Sequence, residues 1–216
     1  MYSHSSNGLI YDQSILRGDY LSPAPTDPMV LTNAYFYYAT SLMAKVAKIL
    51  GENSDANYFN RISVIIRNAF NDKLFDKLSG IYGRGDQSSL VLPLAFEIVP
   101  ENLKQKVANN LADSLKANGY RLKTGFFGTA YLLSVLCNNG HYETAYNLAC
   151  GKNYPSWGHQ IESGSTTFWE RWNSSTERLD GMNSYNHVGY GIGDGFLDTW
   201  PEFNPSIVFR VLKIFW

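Results

Sequence analysis

Residues 86–119 read DQSSLVLPLAFEIVPENLKQKVANNLADSLKANG and hold two helices of opposite character, joined at Pro100. In the first, from about Asp86 to Ile98, Leu90, Val91, Leu92, Leu94, Ala95 and Phe96 are apolar nearly all the way round. Such a helix has no face to give to water and is expected to be buried. In the second, from Pro100 to Asn118, Leu103, Val107, Leu111 and Leu115 recur on one face at the helical period, and Gly119 ends it. A buried helix followed by an amphipathic one is the pattern of inner and outer helices in a helical toroid.

The same pairing extends to both sides. Asp27 and Pro28 read as an N-cap and a first-turn proline. Behind them Leu31, Ala34, Tyr35, Tyr38, Leu42, Val46 and Ile49 form a stripe that stops at Gly51. A partner helix starts near Asp55, with Tyr58, Ile62, Ile65, Ile66, Ala69 and Phe70 as its apolar side. A third pair covers about Gly128 to Asn138 and His141 to Cys150, with Gly140 between. A seventh helix is expected from about Ser184 to Thr199, its glycines (Gly189, Gly191, Gly193, Gly195) marking close helix approach. The fold class is all-α. The connections 72–86, 119–127 and 151–166 are long, and loops of that length in a compact domain carry function.

Composition narrows the chemistry. A chain of 216 residues can bury a sizeable core. Its net charge of −1, without a basic cluster, argues against nucleic acid and anionic membrane surfaces as partners. Residues 1–7 lack the charged and apolar regions of a secretory signal, and no apolar run is long enough to span a bilayer. Cys137 and Cys150 are expected as free thiols, and the four scattered histidines give no zinc spacing. No metal or organic cofactor is implied. The 15 tyrosines and 5 tryptophans suit a sugar-binding surface as well as a core.

Chemistry concentrates in residues 164–187, where Glu170 lies between Trp169 and Trp172 and His187 closes an Asn-rich loop. Indole faces stack on the CH-rich faces of sugars, and a carboxylate among them can move a proton to or from water. The competing reading makes both tryptophans helix-spaced core and Glu170 a solvated surface charge.

Three runs carry a resemblance: Tyr154-Pro155-Ser156-Trp157-Gly158, Gly164-Ser165-Thr166-Thr167-Phe168-Trp169-Glu170-Arg171-Trp172 and Met182-Asn183-Ser184-Tyr185-Asn186-His187. Together with Gly18-Asp19-Tyr20-Leu21, Thr124-Gly125-Phe126-Phe127-Gly128-Thr129 and Tyr131-Leu132-Leu133, they resemble glycoside hydrolase family 78, the bacterial α-L-rhamnosidases. The resemblance covers about residues 15–200. It implies an (α/α)6 barrel of six hairpins, of which this chain holds about the second half in residues 1–200. It further implies that residues 201–216 are a linker, with a possible strand, leading into an absent C-terminal β-sandwich.

The family is inverting, a chemistry that needs two carboxyl groups roughly 6.5–9.5 Å apart, one protonating the leaving oxygen and one activating water. The matching position makes Glu170 the general base. His187 matches a histidine that contacts the sugar, the other reading being a partner in a helix N-terminal cap. Trp169, Trp172 and Asn186 join it as substrate-binding candidates. Trp157 either lines the subsite or is a buried structural tryptophan. Asp19 and Tyr20 stand where the family has Gly-Asp-Trp, with tyrosine replacing the tryptophan. The general acid belongs to an upstream motif that residues 1–17 do not contain, so the missing N-terminal part of the domain is the expected structural complement. Asp86, Glu97 and Glu162 read as a helix cap, a helix-end charge and a loop charge, and Asp180 and Asp194 have no assignable role. The expected ligand is a rhamnose-containing glycoside. Two other readings stay open: a six-hairpin glycosidase for another sugar, and an inactive sugar-binding remnant.

Overall fold

A computed structural model describes residues 5–174 and 183–191. Its helices are α1 (Pro28–Ile49), α2 (Asn53–Lys73), α3 (Gln87–Ala95), α4 (Glu101–Ala117), α5 (Phe126–Asn138), α6 (Tyr142–Ala149) and α7 (Trp157–Glu162). Two antiparallel ribbons accompany them, β1 (Ser5–Ser6) with β2 (Leu9–Ile10) and β3 (Phe75–Asp76) with β4 (Ile81–Tyr82). Two compact units divide these elements, and α4 runs from the first into the second at residues 107 and 108.

The first unit takes residues up to Gly18 and Thr26–Val107. Its β1–β2 turn is Asn7-Gly8, both at positive φ (50° and 84°), the conformation a two-residue hairpin loop demands. Leu9 and Ile10 are fully buried, and the Asn33 amide of α1 both donates to and accepts from the Ile10 backbone. Around them Leu16, Phe36, Ile62 and Ile66 form the core. The Asp27 carboxylate caps α1 by accepting from Met29 N and Val30 N, and Asp86 caps α3 by accepting from Ser89 N, as the sequence suggests for both. The expectation that α3 is buried all round holds from Gln87 to Leu94.

Helix ends show how local chemistry sets hairpin length. At the end of α1, Gly51 (φ 80°) lets its own N–H reach Lys48 O and the next N–H reach Ala47 O. The end of α3 repeats this closure with Glu97 (φ 58°) in the left-handed place, and Ile98 N bonds to Pro93 O. That closure ends α3 at Ala95, three residues short of the expected Ile98.

Three other expectations change. Leu42, Val46 and Ile49 of the α1 stripe are 37%, 47% and 84% exposed, because the second half of α1 buries only Thr40 and Ala47. The connection 72–86 carries the β3–β4 ribbon, and 151–166 carries α7, whose first turn is capped by Ser156 Oγ accepting from His159 N. Glu162 therefore sits at a helix end, paired with Lys152 at 2.7 Å. Finally, residues 183–191 are not α-helical: only Val188–Tyr190 form a 3-10 turn. Their backbone groups are spent on pairing with residues 168–170 instead. The rest of that expected helix, Asp180, Asp194 and the tail 201–216 lie outside the described residues.

The second unit takes Asp19–Pro25 and the chain from Ala108 onward. Here α5 and α6 pack as a hairpin, with Leu132, Leu133, Leu136, Ala145 and Leu148 buried. Cys137 and Cys150 are not joined by a disulfide. Among the described residues no helix is long and apolar enough to cross a membrane, and no group of three His, Cys, Asp or Glu side chains could hold a metal ion.

Candidate active site

All eight site candidates lie in the second unit. Two segments form its centre, 167–174 and 183–191, and they bind each other through the main chain. Glu170 N donates to Ser184 O at 2.9 Å and His187 N to Phe168 O at 2.8 Å. Side chains reinforce the pairing, with Thr167 Oγ1 donating to Tyr185 O and Tyr185 OH to Ser174 O. From α7 the buried Gln160 amide donates to Arg171 O at 3.3 Å. The loop is thus fixed from two sides.

Glu170 is only 6% exposed. Its Oε2 accepts from Ser184 N at 2.8 Å, the one donor to this carboxylate among the described residues. A buried carboxylate held by one oxygen keeps its second oxygen for another proton.

The three tryptophans are packed into protein. Trp169 meets Tyr185 edge-on at 5.6 Å. Trp172 lies 4.1 Å from Tyr190 and 5.7 Å from Trp157, whose Nε1 donates to Tyr190 O at 2.8 Å. All three are at most 5% exposed, so they form the floor and sides of the loop. Trp172 Nε1 is buried without a hydrogen-bond partner among the described residues.

A second group converges from distant parts of the sequence. Asp19 is 6% exposed, and its carboxylate accepts from Gly125 N, Phe127 N and Gly128 N at 2.8, 2.9 and 3.0 Å. Those are the orphan donors at the start of α5, where an anion is also favoured by the helix dipole. A Cβ on Gly125 would fall 2.2 Å from Tyr20 O and 2.5 Å from Asp19 Oδ1, so glycine is required there. Tyr20, 43% exposed, meets Phe126 edge-on at 5.4 Å. Phe126 lies 5.0 Å from the His187 ring and 4.7 Å from Tyr190. The Tyr190 hydroxyl donates to Leu21 O, tying the 19–25 segment to the loop. Burial, with the Asp19 carboxylate adding to it, pushes the Tyr190 phenol far up.

His187 is half-buried, and its Nδ1 accepts from Gly189 N at 3.1 Å. The capping expectation for this histidine is met by that bond, which opens the 3-10 turn. Asn186 is exposed beside it, with its backbone N donating to Ser184 Oγ.

A profile of the bacterial alpha-L-rhamnosidase 6 hairpin glycosidase domain matches residues 1–198. The chain belongs to this family. It is 38% identical over 181 residues to an alpha-L-rhamnosidase of Streptomyces avermitilis, covering 81% of this chain and 17% of that protein. A second alpha-L-rhamnosidase, from Alteromonas sp. (strain LOR), is 36% identical over 190 residues, covering 81% and 21%. Among solved structures, the Streptomyces avermitilis alpha-L-rhamnosidase complexed with L-rhamnose superposes with a TM-score of 0.81 at 35% identity, covering 92% of this chain and 19% of that one. The Aspergillus terreus enzyme superposes at 0.80 with 27% identity, covering 91% and 24%. The mostly helical structure resembles these six-hairpin enzymes, and the chain spans about a fifth of the length of the relatives it matches.

Sequence reasoning placed Glu170 and His187 in one site but missed Ser184, Gln160, Phe126 and Tyr190 as the groups that hold it. Phe126 stood within a quoted motif without a role, and Tyr190 stood inside the run read as helix.

Proposed function

We propose that this chain supplies the water-activating half of an inverting α-L-rhamnosidase site, with Glu170 as general base. The observation that carries the reading is the Glu170 carboxylate, 6% exposed and anchored through Oε2 to Ser184 N. Oε1 then takes the proton of a water that attacks the anomeric carbon. Trp169 and Trp172, packed on either side in sequence, limit bulk water around that carboxylate. The leaving oxygen is protonated by a second carboxyl group roughly 6.5–9.5 Å away, which inversion requires. That acid comes from a complement outside these residues.

His187 supports the sugar-binding part of the reading. Because Nδ1 accepts the Gly189 N–H, the ring proton of the neutral imidazole resides on Nε2. His187 therefore offers a donor to a sugar hydroxyl. The exposed Tyr20 ring offers a stacking face, and the exposed Asn186 amide adds further hydrogen bonding. Asp19 supports the site from behind. The ligand is a terminal α-L-rhamnosyl residue, as the rhamnose complex of the Streptomyces avermitilis relative suggests.

The test is a chimera in which this chain replaces the matching segment of the Streptomyces avermitilis enzyme. Hydrolysis of an aryl α-L-rhamnoside is expected, with inversion at the anomeric carbon seen by NMR. Glu170→Gln is expected to abolish it with circular dichroism unchanged. Near-normal turnover by that variant removes Glu170 from the mechanism.

A further inference from the structure

We infer that Asp19 and Phe126 are positioning residues that set the His187 imidazole as a fixed Nε2–H donor, and that Asp19 does not bind sugar itself. The inference rests on the reading of His187 as a sugar contact, and it adds how that contact is prepared.

Begin with what Asp19 has left to offer. Its side chain is buried, and its two oxygens accept from three N–H groups where α5 begins: Oδ2 from Gly125, just before the helix, and from Gly128, and Oδ1 from Phe127. Hydrogen bonds from backbone amides to a carboxylate are among the stronger ones a protein makes. An acceptor so saturated and enclosed is committed to the protein. Phe126 N adds a main-chain bond to Tyr20 O at 3.0 Å, so the 19–20 dipeptide grips the first turn of α5 from both directions.

That grip fixes where the Phe126 ring lies. The ring fills the space over Gly189: a Cβ there would meet Phe126 ring carbons at 2.4–2.6 Å. The same ring lies 5.0 Å from the imidazole, tilted by 33°. Phe126 thus presses on the two residues, His187 and Gly189, whose N–H to Nδ1 bond selects the tautomer. Side-chain geometry at residue 187 is therefore set by a carboxylate near the start of the chain, through one helix terminus and one ring. A donor held in place before the ligand arrives loses less freedom on binding than one that must be ordered.

The tautomer is read directly by long-range proton–nitrogen NMR of the full chain, without sugar, at a pH where imidazole is neutral. His187→Gln assigns the signals by their disappearance. The wild type is expected to show one fixed Nε2–H form at His187. Phe126→Leu, which keeps an apolar residue in the first turn of α5, is expected to give the averaged pattern of a mobile ring, and Phe126→Tyr to restore the fixed form. Asp19→Asn replaces one acceptor oxygen with a donor facing those amides, and is expected to behave as Phe126→Leu does. A fixed Nε2–H signal in Phe126→Leu overturns the inference even where Asp19→Asn fails to fold. A fixed signal in a folded Asp19→Asn overturns the role of Asp19. Because no sugar is present, these outcomes stand apart from those of the hydrolysis test.

Discussion

Glu170 and Ser184 bind each other twice: Glu170 N donates to Ser184 O at 2.9 Å, and Ser184 N donates to Glu170 Oε2 at 2.8 Å. The first bond pairs the two segments, and the second aims the carboxylate. Backbone pairing and side-chain orientation at this site are the same event.

Side-chain length at residue 170 is therefore decisive. Glu170→Asp withdraws the carboxylate by one methylene from the Ser184 N–H. In the chimera, kcat is expected to fall roughly a hundredfold or more while KM changes little, since a proton-transfer group contributes about that much. Steady-state rates on an aryl rhamnoside measure this. An Asp variant with the parental kcat contradicts the proposed aim.

The neighbouring tryptophans should respond differently to loss of their indole N–H. Trp157→Phe removes the 2.8 Å donor to Tyr190 O and leaves that carbonyl unpaired, at about 1–3 kcal/mol beyond the lost area. Trp172→Phe removes a buried N–H that has no partner among the described residues, which offsets part of the packing loss. Urea denaturation of both variants is expected to find Trp157→Phe the less stable. The reverse order counts against this account.

Asn33 holds the amino-terminal ribbon to α1. It is fully buried, donating to Ile10 O and Met29 O at 3.0 and 2.9 Å and accepting from Ile10 N at 2.7 Å. Asn33→Leu keeps the size but strands those groups, so a loss of about 3 kcal/mol or more is expected. Thermal unfolding checks it, and a Tm within error of the parent excludes the clamp.

One histidine gives a pH signature. Burial, assisted by Lys116 and opposed by Asp113, holds His141 below its usual range. As pH falls through the unfolded-state value near 6.5, the unfolded chain takes up this proton first. Stability from keeping the ring neutral is complete above that pH and is lost as pH falls toward the folded-state value. His141→Gln is expected to flatten the acid-side decline of the urea midpoint; an unchanged decline assigns it to other groups.

Much of the architecture was readable because its causes are local. Asp27 and Asp86 are capping residues by their chemistry, Gly51 ends a helix because it alone tolerates the left-handed turn cheaply, and an apolar run such as 90–96 has nowhere to go but inward. The 184–199 segment failed for the opposite reason. Its backbone N–H and C=O groups at 184 and 187 found partners at 170 and 168, and no periodicity within the segment can announce a partner elsewhere. The α1 stripe shows the same limit, since Ile49 has a helical place in it and is 84% exposed.

At the site, the sequence by itself singled out the candidates, a carboxylate among tryptophans and a histidine beyond an Asn-rich loop, and it held motifs specific enough to reveal the family. Tertiary structure alone decided what each one does with its surroundings. It buried three tryptophans that looked like sugar platforms and turned Asp19 inward onto the first turn of α5. It also made Phe126 the contact between Tyr20 and His187. The physical reason is that a residue's type fixes what bonds it can make, while only the folded chain fixes which donors and rings stand within three to five ångströms of it.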